Sequence, residues 1–173
     1  MENTAELLWQ RIFEKGRKEE NDFINKLHLN PKATEEDFLK LEKTLSTIIP
    51  DEMKSFYSVY NGQKWRKGTK CAIRNLTLMP IEEIIAKWNF LNDEFDPNDG
   101  LKLENDECIK PFLWNPKWIP IAENGGGDYV CLDTDPTEKG TFGQVLYFYH
   151  DWGNRSVDAK CLFEFIEQCL IED

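Results

Sequence analysis

Apolar positions recur at helical spacing through the first ninety residues and in short runs through the last third. Leu7, Leu8, Trp9, Ile12 and Phe13 form one stripe, which predicts a helix from Ala5 to about Phe23 that frays or bends near Gly16. After Asn30-Pro31, Thr34 is placed as an N-cap before acidic residues, and Phe38, Leu41 and Leu45 repeat at i, i+3 and i+7. A third helix is expected from Pro50 to Tyr60. Met53, Phe56, Tyr57 and Tyr60 share its buried side, and Asn61-Gly62 supplies a left-handed stop.

Short strands are expected around Cys71–Ile73 and Leu76–Met79, followed by a fourth helix over Ile81–Phe90. From Asn92 to Pro116 the periodicity gives way to Asp, Asn, Pro and Gly. That predicts a long loop anchored by Phe95, Leu101, Phe112 and Trp114. Three runs then follow at turn-bounded spacing, Trp118–Ala122, Asp128–Asp133 and Gly143–His150, which reads as an antiparallel meander. A closing helix near Asp158–Leu170 carries a broad apolar face able to cover that sheet. Helices first, a sheet next and a helix last predict an α+β fold: a mixed or antiparallel sheet flanked by N-terminal helices and a C-terminal helix. One domain over 1–173 is expected, with 1–33 as a helical extension and 34–170 as the core.

Composition changes this picture in two respects. The hydrophobic share of 40% and aromatic share of 13% exclude a disordered chain. No run approaches the ~20 apolar residues of a membrane span, and the N-terminus lacks a signal-peptide core, so a cytoplasmic location is expected. Cys71, Cys108, Cys131, Cys161 and Cys169 are odd in number and show no C-x-x-C spacing. Reduced thiols are expected rather than disulfides or zinc. The net charge of −11 is unevenly placed: residues 1–90 hold 15 Lys and Arg against 14 Asp and Glu, while 91–173 hold 6 against 18. An acidic half of that kind repels phosphate backbones and draws cationic protein surfaces.

Candidate chemistry is sparse. His150, in Tyr-His-Asp-Trp-Gly, ends a strand beside Asp151, but neighbouring strand residues point to opposite faces, and a hydrogen-bonded structural role is expected. Glu123, Asp128, Asp133 and Asp135 offer oxygen ligands without any metal-loop spacing. Gly125-Gly126-Gly127 precedes a strand and lacks a following Lys-Ser/Thr, so it reads as a hairpin turn that needs positive φ, not a phosphate cradle. No G-x-S-x-G occurs. No catalytic, cofactor or metal residue is assigned. Residues 63–70 read as an exposed basic turn whose Trp65 folds back on the core, and nucleic acid is not expected as a partner.

Several ordered blocks resemble the SUKH superfamily. Leu41-Glu42 to Leu45, Ile49 to Tyr57 and Asn61-Gly62 are similar to its opening, and Leu78-Met79-Pro80 with Ile81 to Trp88 to its middle. Trp118 to Ala122, Gly127-Asp128, Cys131 to Asp133, Gly143 to Val145 and His150-Asp151 are similar to its closing sheet. The resemblance implies an α+β domain that binds other proteins without catalysis. In bacteria that means an immunity protein holding a cognate, often nuclease, toxin; in fungi it means a regulatory scaffold. Joined to the charge asymmetry, it marks Asp93, Glu94, Asp96, Asp99, Glu123, Asp128, Asp133, Asp135 and Asp151 as the surface expected to meet a basic toxin.

Overall fold

The computed structural model describes residues 2–97 and 103–171. Its elements run α1 (Glu2–Glu19), α2 (Phe23–Lys26), α3 (Glu35–Leu45), α4 (Asp51–Tyr57), β1 (Thr77–Leu78), α5 (Ile81–Glu94), β2 (Trp118–Glu123), β3 (Tyr129–Asp133), β4 (Gln144–Phe148), β5 (Val157–Ala159) and α6 (Leu162–Ile171). The five strands pair in sequence order and every pairing is antiparallel, so the mixed alternative does not arise. Two residues in β1 and three in β5 form the edges.

Antiparallel strands often leave one face to solvent, but β2 and β3 are apolar along nearly their whole length. The packing explains why. Tyr147 meets Phe165 of α6 at 6.2 Å, while Phe148, its neighbour on β4, meets Trp114 at 5.6 Å and Phe95 at 5.2 Å. Both faces are therefore covered, one by α6 and the helices beside it, the other by α5 and the segment that follows it. The loop anchors Phe95 and Trp114 do the work expected of them; Leu101 lies outside the described residues.

The N-terminal helix departs from expectation at its end. Gly16 sits inside α1, and a Cβ added there would lie 2.1 Å from the Phe23 ring. The glycine is thus a close-approach site, which lets α2 fold back against α1. Ala5, Leu8, Trp9 and Ile12 are all buried, so α1 contributes to the core. Trp9 stacks on Phe56 of α4 at 4.6 Å and donates its indole N–H to the Phe56 carbonyl.

Thr34 caps α3 as expected, reciprocally with Asp37: Thr34 Oγ1 accepts from the Asp37 N–H, and Asp37 Oδ2 accepts from the Thr34 N–H. Helix α4 stops at Tyr57, and no strand forms over 71–73, where Ile73 makes only an isolated bridge to Leu76. Helix α5 begins after Pro80, which has no side-chain cap, and Asn61 supplies the missing acceptor, its Oδ1 taking the Ile81 N–H at 2.9 Å. Gly62 has φ +64, and a Cβ there would lie 2.5 Å from the Met79 carbonyl carbon. Gln63, expected in an exposed loop, is fully buried instead. Its amide donates to Leu27 O and Lys70 O and accepts from the N–H groups of Ala72 and Leu78. One side chain thus satisfies four backbone groups that have no ladder partner.

Candidate functional site

The β2–β3 turn and the end of β4 meet at one end of the sheet. Asn124 Oδ1 accepts from Gly126 N and Asp128 N, folding the turn on itself, while Gly125 and Gly127 take φ values of +75 and +99. A Cβ on Gly127 would stand 3.2 Å from His150 Cγ, so the glycine also makes room for the imidazole. Asp128 Oδ1 accepts from both the backbone N–H and Nδ1 of His150, at 3.1 and 2.9 Å, and Asn124 Nδ2 holds Oδ2 at 2.8 Å. The hydrogen bond to Asp128 raises the His150 pKa above its ordinary value, aided by the charge of Asp151. Burial acts to raise Asp128, but the His150 and Asn124 bonds outweigh it and leave the carboxyl below its usual range.

Beyond this latch the chain turns back through an isolated bridge between Tyr149 and Trp152. Trp152 is 62% exposed and Tyr149 42%, and Tyr149 stacks on Tyr147 with ring centroids 5.5 Å apart. Asp151 is exposed beside them. Beneath the tip, buried Arg155 donates to the carbonyls of Trp152, Asn154 and Leu113 and lies over the Phe148 ring at 4.5 Å. Burial lowers its pKa to about 10, so the guanidinium stays charged at neutral pH and ties the tip to the segment before β2. Asp128, His150 and Asp151 present ligand atoms within 4.8 Å of one another. As a cation site the set is weak, because two of the three are exposed and the imidazole is biased toward its protonated form, which cannot ligate.

The nine acidic residues marked in the sequence do not form one surface. Glu123, Asp128 and Asp151 gather at the latch end, although Glu123 is paired with Lys87 at 2.9 Å. Asp133 and Asp135 belong to the opposite end of β3, roughly 13 Å away at strand spacing. Asp133 is not a surface residue. It is fully buried, with Oδ1 accepting from Asp135 N and Oδ2 from Gln144 Nε2, and burial pushes its pKa up. An alternating strand would have turned it outward, but here both faces of the sheet are covered. Asp135 is held by Lys110 and Asn115. Asp93 and Glu94 end α5 and are exposed, as is Asp96, while Asp99 lies outside the described residues.

Sequence reasoning missed the exposed aromatics Tyr149 and Trp152 and the pairing of His150 with Asp128. The register Tyr129↔Phe148 brings that pair together, and a single chain does not display its register. It also misplaced Trp65, which is 68% exposed and does not fold back on the core. The five cysteines are free thiols, and among the described residues no helix is long and apolar enough to cross a membrane.

Against known proteins, the profile of the SMI1 / KNR4 family (SUKH-1) matches residues 32–168. The glucan synthesis regulatory protein of Neurospora crassa is 23% identical over 170 residues, covering 78% of this chain and 32% of its own. The cell wall assembly regulator SMI1 of Saccharomyces cerevisiae is 21% identical over 196 residues, with 92% and 38% covered. The cell wall biosynthesis/cell cycle regulator smi1 of Schizosaccharomyces pombe is 25% identical over 173 residues, with 91% and 34% covered. The chain spans about a third of the length of these relatives.

Proposed function

The chain belongs to the SMI1 / KNR4 family (SUKH-1), and from that premise we propose that it is a regulatory protein-binding domain, without chemistry of its own, acting in cell-wall synthesis. The names of its relatives, regulators of glucan synthesis and of cell-wall assembly, support the regulatory sense. The tip that carries Tyr149, Asp151 and Trp152 supports the binding sense. Exposed Tyr and Trp are the residues that most often anchor protein interfaces, and a carboxylate beside them selects cationic side chains. The groups whose titration is most displaced, Tyr57, Cys131 and Arg155, are buried in the core. That distribution favours structure over catalysis.

The carrying observation is the latched, exposed aromatic tip. Replacing the native gene by one encoding D151N/W152A is expected to reproduce the cell-wall-stress sensitivity of a deletion while the protein remains folded and abundant. A deletion strain with an undisturbed wall would overturn the regulatory reading.

A second reading, an immunity protein that neutralises a basic toxin, draws support from the −12 carried by residues 91–173. It predicts that co-expression rescues cells from a toxic product encoded immediately upstream. Absence of such a neighbour removes it.

A further inference from the structure

The basic turn between Gln63 and Cys71 is built with more care than a solvated connection needs. Its two arms are pinned to the same short stretch: Lys64 N donates to His28 O at 2.8 Å and Lys70 N to Lys26 O at 2.9 Å. Across the turn Thr69 Oγ1 accepts from Arg66 N at 2.8 Å and meets His28 Nδ1 at 2.8 Å. Buried Gln63 clamps the base through Lys70 O. His28 itself holds φ +48, a strained backbone for a non-glycine residue that persists only where its surroundings impose it.

This braced frame presents Trp65 at 68% exposure with Lys64, Arg66 and Lys67 exposed around it. The lysines at its foot are already committed, because Glu20 pairs with both Lys26 and Lys70. Lys64, Arg66 and Lys67 enter no ion pair among the described residues. A large indole left in water on a braced backbone, with three unneutralised cations beside it in sequence, has the composition of an interface anchor: an apolar body for burial, charges for selection, and a backbone with little conformational entropy left to lose.

We infer that the turn carrying Lys64, Trp65, Arg66 and Lys67 is a docking site for a short acidic segment of a partner protein, one that sets an apolar side chain against the indole and carboxylates against the three cations. Charge and size together select this partner. A nucleic acid needs a continuous basic track and successive aromatic platforms, whereas this turn offers one indole and its surroundings include Glu20 and Asp22. The molecule's net charge of −11 further opposes a long polyphosphate or an anionic membrane, but acts little on a few carboxylates within a screening length of about 8 Å. The site is independent of the Tyr149–Trp152 tip and opposite to it in charge preference.

Fluorescence anisotropy of the full chain with a short labelled peptide of Asp, Glu and one Leu tests the assignment. A peptide in which Asn and Gln replace the acids serves as the control. The acidic peptide is expected to bind, more weakly as salt is raised, and W65A and K64Q/R66Q/K67Q should each weaken it by about tenfold or more. D151N/W152A should leave it unchanged. The triple variant keeps the test valid should W65A lose its fold by circular dichroism. Equal binding of the neutral peptide, unchanged affinity in the triple variant, or preference for a single-stranded oligonucleotide or anionic vesicles would each overturn the proposal. So would a mass increase by light scattering that depends on Trp65 and is unaffected by the peptide, since the occupant would then be a second copy of the chain.

Discussion

Asp128 and His150 are 22 positions apart, yet one carboxylate oxygen holds both the backbone and the ring of the histidine. The two shifts have opposite consequences for pH. His150 is raised, so its contribution to stability is complete below about pH 6.5 and is lost as pH climbs through its folded value. Asp128 is lowered, so its contribution is present above its ordinary value of 3.8 and is lost as pH falls through the folded one. Both charge contributions are therefore present together between roughly pH 4 and 6.5. In D128N, the His150 titration followed by NMR is expected to shift down toward about 6.5; an unmoved midpoint would show that Asp151 alone sets it. The sequence identified both residues as candidates. Their pairing was hidden, because it depends on the register of β3 against β4, and so was the burial of Asp133, because it depends on what covers the second face.

Helices were the more legible elements, since period and cap are local: Thr34 with Asp37 could be read from a few residues, whereas the left-handed stop expected at Asn61-Gly62 lies beyond the end of α4, which closes at Tyr57 with Ser58 still right-handed. Gly16 shows the limit of such reading. In an exposed helix interior Gly→Ala gains about 1 kcal/mol. Here the Phe23 ring fills the space a methyl would need, and that ring is itself buried. G16A is expected to destabilise the protein by about 1–3 kcal/mol in chemical denaturation, the range for overpacking; a gain would mean α2 does not lie against α1. The three central strands were legible from their apolar runs, whereas β5 was not, because Val157–Ala159 offers only three residues beside a bulge in its pairing with β4.

At the scale of the molecule, the family match begins at residue 32, but the core does not. Leu8, Trp9 and Ile12 pack beneath the same helices that cover the sheet, and Arg11 pairs with Glu167 of α6. A chain lacking residues 1–30 is accordingly expected to lose its cooperative thermal transition and to bind a hydrophobic dye; a sharp transition in that truncation would make α1 a dispensable extension. The fold class was readable because patterning reports layers directly. The acidic surface was readable only as a sum of charge, since side-chain pairing with Lys87 and Lys110 and the burial of Asp133 redistribute it. The sheet also tapers, with two residues at one margin and three at the other. So little unpaired backbone gives a foreign strand almost nothing to zip onto, which guards against fibre growth at high concentration. The same economy would let such a unit be spliced into a polypeptide several times its size without entangling the neighbours it is joined to.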